Sequence, residues 1–494
     1  MKNGKKIIAL MLLVAMAFGV SGCGGGSTNV SVESPDTYPE DPYEINWYIN
    51  SQPQDDVDLI EAEVNKIIQP MINATLNITA MDSAQYKKRL STMISSGEYF
   101  DLAYTSSSVL SYNSNTETGG FFDMAPYVDE YMPKLKALFP ENYFNSAYIN
   151  GKLGAVPVYK ELASQWGWYY RSDIAEKYNI DMSQYKTLDE LEPVLEMLKE
   201  KEPGIEYPME WDTTISPFNL LSYTMVGTDC VMFMNEDGTP SGVFENLSES
   251  KQFREVCEDA RRYYEKGLVK PGVLTDSDAS ARMKNGKAFV TIGSLKPGGV
   301  AEKFAGSQYP FAQQGLSTPK MNKGTASMIG VSATSKNPYR VMRFLEILYS
   351  NAEVSNLLIH GIEGKHYTKV NDNTIEKIAD SGYDLASSQY MMGNNFLNYL
   401  TVKDDPNKYE NYKAFNEEAF YPITNEFNYD VTPVELESVA MGGVKSQFRN
   451  QAVLGAMDPD TVLPEYVARA KEAGLDKIVA EVQRQYDEFI KSKK

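Results

Sequence analysis

Ile45–Ile49 (INWYI), Ala74–Ala80 (ATLNITA) and Phe100–Tyr104 (FDLAY), with two apolar-periodic segments between them, decide the fold of this chain. In ATLNITA the apolar residues Ala74, Leu76, Ile78 and Ala80 alternate with polar ones, the period of a strand. Between the first two stretches, Val57, Ile60, Val64, Ile67 and Ile68 fall on one helical face. Between the second and third, Tyr86, Leu90, Met93 and Ile94 do the same, in a helix that Ser83 can cap and Gly97 can end. Strand, helix, strand, helix, strand predicts an open parallel α/β sheet. Ligands of such sheets sit beyond the carboxyl ends of the strands, here Asn50–Gln54 and Thr105–Ser108, which makes Gln52 and Ser106 candidate binding residues.

Downstream, Gly151–Val158 (GKLGAVPV) is punctuated by Gly and Pro and can carry the chain into a second unit. Trp166–Arg171 (WGWYYR) reads as a strand, and Ser172 starts a helix through Tyr178. Thr187 and Glu190 form a capping box. Helices are expected over Phe253–Lys266, ended by Gly267, and after Asn337-Pro338, with Val341, Phe344, Leu345 and Leu348 on the apolar face. A long helical region, Pro464–Ile490, is broken at Gly474. Ala288–Ile292 (AFVTI) reads as a buried strand with Gly293 and Ser294 at its carboxyl end.

Upstream, Lys2, Lys5 and Lys6 precede an uncharged apolar run, Ile7–Val20, and then Ser21-Gly22-Cys23. A run this short with a small-residue cleavage site reads as a signal peptide over residues 1–22. A Cys directly after small residues resembles the bacterial lipobox, in which the thiol is acylated, palmitate being one such acyl chain, and the chain is cut just before it. Cys23 would then carry the lipid that holds the protein on the extracytoplasmic face of the cell membrane. Residues 23–42, rich in Gly, Ser, Thr, Pro and acidic residues, cannot bury enough apolar surface to order and predict a flexible tether.

With 47 basic and 67 acidic residues among 494, the net charge is −20, and −23 once the three lysines of the signal peptide are removed, leaving 44 against 67. Such a field repels phosphate backbones and anionic headgroups, so nucleic acid is excluded as a partner. Two histidines, His360 and His366, leave little for His-based chemistry or a metal, which needs three or four ligands. No GxxxxGK[ST], HExxH or GxSxG is present, and Gly442–Ser446 lacks the spacing of a phosphate cradle. Neither a catalytic residue nor a cofactor is expected. Cys230 and Cys257 can pair in an exported protein or be buried singly, and spacing leaves both open. Carboxylate runs such as Asp404-Asp405 are most often solvated faces.

The aromatics are more informative: 33 Tyr, 20 Phe and 4 Trp. Sugars present apolar C–H faces ringed by hydroxyls, so a carbohydrate site wants flat rings with amide, hydroxyl, carboxylate and guanidinium groups around them. Trp166, Trp168, Tyr169, Tyr170 and Arg171 concentrate both kinds at the entrance to the second unit. Trp211 stands between Glu210 and Asp212, and Tyr390–Phe396 (YMMGNNF) sets Asn394 and Asn395 beside aromatics, whereas Trp47, mid-strand, is expected in the core. Trp166, Trp168 and Trp211 are therefore the expected stacking platforms. Gln52, Ser106, Arg171, Ser294, Asn394 and Asn395 are the expected hydrogen-bonding rim.

The order of motifs adds a resemblance. Tyr86–Leu90 leading to Ser96-Gly97-Glu98-Tyr99-Phe100-Asp101-Leu102, then Asn150–Pro157, Tyr170-Arg171-Ser172-Asp173 with Lys177–Ile180, Tyr264–Leu268 and Asn285–Ala288 resemble extracellular solute-binding proteins of carbohydrate ABC importers. Gly361–Tyr367 and Ala473–Gln485 look like the longer subfamily with an extra C-terminal segment. The resemblance implies a type II periplasmic-binding-protein fold, two α/β lobes joined by crossing strands near residues 156–160, 323–332 and 367–371. The lobes would be 43–157 with 325–370, and 158–324 with 371–494. It implies binding of a sugar or oligosaccharide, closure over it and delivery to a membrane permease, without catalysis. Two rivals remain open at this point: a secreted glycoside hydrolase, and a binding protein for a peptide or metal chelate.

Overall fold

A computed structural model describes residues 41–235 and 239–493, with Ser34, Thr37 and Tyr38. The signal peptide, Cys23 and most of the tether lie outside the described residues. The three decisive stretches form the strands Tyr43–Asn50, Ala74–Met81 and Leu102–Thr105, all parallel, in a five-stranded sheet completed by Met328–Val331, antiparallel to both its neighbours, and beyond it Ala155–Pro157. Trp47 is buried here, its ring edge-on to Phe344. The helix Val57–Ile72 lays Ile60, Val64, Ile68 and Ile72 on the core, four residues apart. In the helix Ser83–Ser96 the cap is Asp82, not Ser83: its carboxylate accepts the N–H groups of Ala84 and Gln85.

The second sheet runs Phe311–Gly315, Ala163–Arg171, Val290–Leu295, Met209–Glu210, antiparallel except for the last pair. Gly293, Gly167 and Gly315 stand in register across its three long strands. A Cβ on Gly293 would collide with the Tyr169 ring, so glycine there lets that ring lie across the strand. The helices Leu188–Lys201 and Lys251–Glu265 pack below, the first opened by the Thr187/Glu190 capping box. Cys230 and Cys257 are buried, unbonded thiols.

The chain leaves the first sheet at Pro157 and enters the second at Ala163, then returns between Met321 and Met328. A third segment lies beside these two. Asn416 accepts the Leu162 N–H (2.6 Å) and donates to the Lys160 carbonyl, and Met321 N–H donates to the Phe420 carbonyl (2.8 Å). Residues 367–371 instead begin a hairpin, Tyr367–Lys369 paired with Thr374–Lys377, because Asn371-Asp372-Asn373 turns the chain. The residues after it stay with the first sheet's elements: Tyr383 donates to the Leu358 carbonyl, and Met391 packs with Tyr86, Leu90 and Phe100.

The last helices are Glu435–Val453, Pro459–Glu472 and Leu475–Ser492, the last two separated at Gly474 (φ 91°). Pro459 at the first helical position, behind the Asp458 cap, starts the second of these five residues earlier than Pro464 suggested. No helix among the described residues is long and apolar enough to cross a membrane.

Candidate functional site

A cavity of about 400 Å³ opens beside the crossing segments, with walls from both halves of the fold. Glu161 lies on the first crossing, and Lys296 and Glu302 follow the second-sheet strand Val290–Leu295. The opposite wall carries His360, Gln389, Tyr390, Asn395, Tyr399 and Asp404, and the helix Lys408–Glu418 adds Lys408, Tyr409 and Tyr412. Tyr390 ties this wall to the carboxyl end of the strand Leu102–Thr105. Its carbonyl accepts from Ser327, and its ring stands edge-on to Tyr104 at 6.0 Å. It is 44% exposed, an available flat face.

The charges in the cavity are paired. Lys296 bridges Glu161 (3.2 Å) and Glu302 (2.7 Å), Lys160 reaches Glu161 from behind (2.8 Å), and Lys408 holds Asp404 (2.8 Å). Burial pushes the Glu161 carboxyl up, and Lys160 and Lys296 outweigh it, leaving it below the usual carboxylate value. Asp404 is likewise raised by burial and lowered further by Lys408 and Thr401. Two polar groups stay unmatched: neither ring nitrogen of buried His360 has a hydrogen-bond partner of good geometry, nor has Asn395 Oδ1. Burial lowers the His360 pKa to about 3, so the imidazole is neutral. Unmatched buried polar groups are uncommon in folded proteins, and both residues line this cavity. Among the described residues no group of three His, Cys, Asp or Glu side chains is placed to hold a metal ion.

Of the residues expected from sequence, Asn395 lines this cavity. Asn394, its neighbour, is consumed internally, capping the Phe396 N–H and donating to the Tyr349 carbonyl. Trp166 and Ser294 are register partners on adjacent strands, Trp166 partly covered and Ser294 exposed. Gln52 is exposed after the first strand; Ser106 is buried, its Oγ accepting the Ser108 and Val109 N–H groups and shaping the loop. Two stacking platforms are corrected. Trp168 is fully covered and donates its indole N–H to the Tyr185 carbonyl (2.7 Å), and Trp211 is buried against Tyr263; both rings are core. Arg171 is corrected too, because Asp173, the Gly286 carbonyl and the Tyr309 ring occupy its guanidinium. Asp404 is no solvated-face residue but part of the cavity wall.

Sequence reasoning missed Glu161, Lys296, Glu302, Tyr399, Tyr409 and Tyr412. The i, i+4 spacing of Asp404 and Lys408 and the tyrosines at 409 and 412 were the available signals.

Two sheets, three mutually bonded crossing segments and a cavity walled from both sides define a two-lobed solute-binding protein. Residues 65–354, more than half of the chain, match the family described as bacterial extracellular solute-binding protein, and the chain belongs to that family. Its members act outside the cytoplasm. Residues 423–491 match a domain of unknown function, DUF3502. Over the full length of both, the chain is 29% identical to a carbohydrate ABC transporter substrate-binding protein of Streptococcus pneumoniae serotype 4. It is 21% identical to the polygalacturonan/rhamnogalacturonan-binding protein YtcQ of Bacillus subtilis, over 76% of this chain and 77% of that one. The N-glycan transport solute binding protein NgtS of Streptococcus pneumoniae superposes with a TM-score of 0.80 at 25% identity, covering 92% of this chain and 100% of that one. Its complex with Man5GlcNAc gives 0.69 at 26% identity, covering 92% and 99%.

Proposed function

We propose that this chain is a receptor, anchored by lipid on Cys23, that captures an oligosaccharide between two lobes and delivers it to the permease of an ABC importer. The observation that carries it is the cavity, with four tyrosines and two unmatched polar groups on one wall and the charged Lys296 and Glu302 of the second half of the fold facing them. Full-length similarity to a carbohydrate ABC transporter substrate-binding protein supports it. A ligand touching both walls favours the closed arrangement because only there are all its contacts made. The lobes are residues 43–157 with 325 to about 418, and 158–324 with the C-terminal helices, the third crossing falling near Phe420.

Tyr390 and Trp166 are the proposed platforms, with Asn395, His360, Ser294 and Gln52 as polar rim. The protein binds without transforming. Glu161 and Asp404 are held below the usual carboxylate range, the wrong direction for the general acid of a glycosidase. A thermal-shift screen against oligosaccharides and peptides tests the proposal: saccharides raise the melting temperature and peptides do not. Release of glycosides hydrolysed by the purified protein would overturn it. Cys23→Ala should free the protein from membranes, and continued membrane fractionation would sink the anchor.

A further inference from the structure

We propose that the cavity selects uncharged oligosaccharides and turns away chains of uronic acids. The inference rests on the sugar-binding function proposed above and names the substrate class. Three carboxylates, Glu161, Glu302 and Asp404, line the cavity against two lysines, Lys296 and Lys408, and no arginine lines it. Each lysine is already held: Lys296 between Glu161 and Glu302, Lys408 on Asp404. Lys160, behind Glu161, is held as well.

A uronate carboxylate entering this space meets three carboxylates already matched by Lys160, Lys296 and Lys408, and finds no unpaired cation among the lining residues to neutralise it. Desolvating it there is unfavourable, because a buried charge is tolerated only when paired. A neutral sugar suits the same walls. Its hydroxyls are donors, and the cavity is rich in acceptors, among them the unpartnered Asn395 Oδ1. Its C–H faces suit Tyr390 and the tyrosines beside it.

Calorimetry on the full chain with neutral probes (Man5GlcNAc, maltotriose, xylotriose) and acidic ones (trigalacturonate, trimannuronate) tests the class. At least one neutral probe should bind, and every acidic one more weakly by about tenfold or more. Glu302→Gln removes one of the two carboxylates holding Lys296, and Asp404→Asn frees Lys408. Either change should shrink the neutral-to-acidic affinity ratio several-fold. Acidic probes binding as tightly as neutral ones, or a ratio unmoved in both folded variants, would overturn the class and leave the sugar-binding function standing. If no saccharide of either charge binds the folded protein, both fall together.

Discussion

His360 shows what burial does to a single group in this site. With its pKa lowered from 6.5 to about 3, the folded protein does not take up a proton as pH falls through 6.5, whereas the unfolded chain does. Stability is therefore fully present above pH 6.5 and declines as pH falls towards 3, by up to roughly 5 kcal/mol in all. Between pH 6.5 and 5, urea midpoints of the wild type should fall more steeply than those of His360→Gln; equal slopes would contradict the burial argument. The tryptophans separate in the same way. Trp168→Ala should cost stability by roughly 3–5 kcal/mol, as for a large ring removed from a core. Trp166→Ala, removing a ring only partly covered by the same core, should cost less stability than Trp168→Ala and weaken saccharide affinity by about 1 kcal/mol. Alternation along WGWYYR puts Trp166 and Trp168 on one face of a strand, and that much is legible in the sequence. That the polypeptide around Tyr185 covers Trp168 depends on tertiary packing, which no local pattern encodes.

At the scale of elements, although Met328–Val331 reaches the first sheet from far along the sequence, that sheet's first three strands follow directly from their patterns, since each strand and helix there carries its own periodicity and they lie close together in the chain. The crossings do not. Gly151–Val158 marks the first by Gly and Pro, but the third near Phe420 is defined by hydrogen bonds from Asn416 and Met321 to residues far along the chain. Another long-range joint holds the C-terminal helices. Asp229, fully buried, lies in the turn between the paired strands Tyr223–Val226 and Cys230–Phe233 and accepts from Arg449 (3.0 Å) and from the Tyr466 hydroxyl. Asp229→Ala strands the Arg449 charge and the Tyr466 hydroxyl in a covered space. The expected loss is roughly 3–5 kcal/mol. Asp229→Ala combined with Arg449→Met should recover part of it, measured by thermal melting; a double variant no better than the single one would mean that the pair does not act as a unit.

For the whole molecule, motif order carries the fold while the site stays hidden, because its walls are gathered from residues 161 to 412 and no window of sequence contains them. The same dispersal governs the C-terminal segment. Phe448, Ala452, Val453, Leu454, Val462, Leu463 and Tyr466 share one core with Trp168, Phe253 and Phe289 of the second lobe. Leu475, Ile478, Val482 and Tyr486 cover Cys230, Met232 and Phe244. Residues 423–491 thus complete the lobe rather than append to it. Burying a large apolar side chain is worth roughly 1.5–3 kcal/mol, so the six large ones in the shared core together contribute on the scale of the roughly 5–15 kcal/mol by which a domain is stable. A chain ending after Tyr421 should lose cooperative melting and become susceptible to protease throughout residues 163–315, while saccharide binding disappears. A truncated chain that melts cooperatively within a few degrees of the full one, followed by circular dichroism, would show the segment to be an independent appendage.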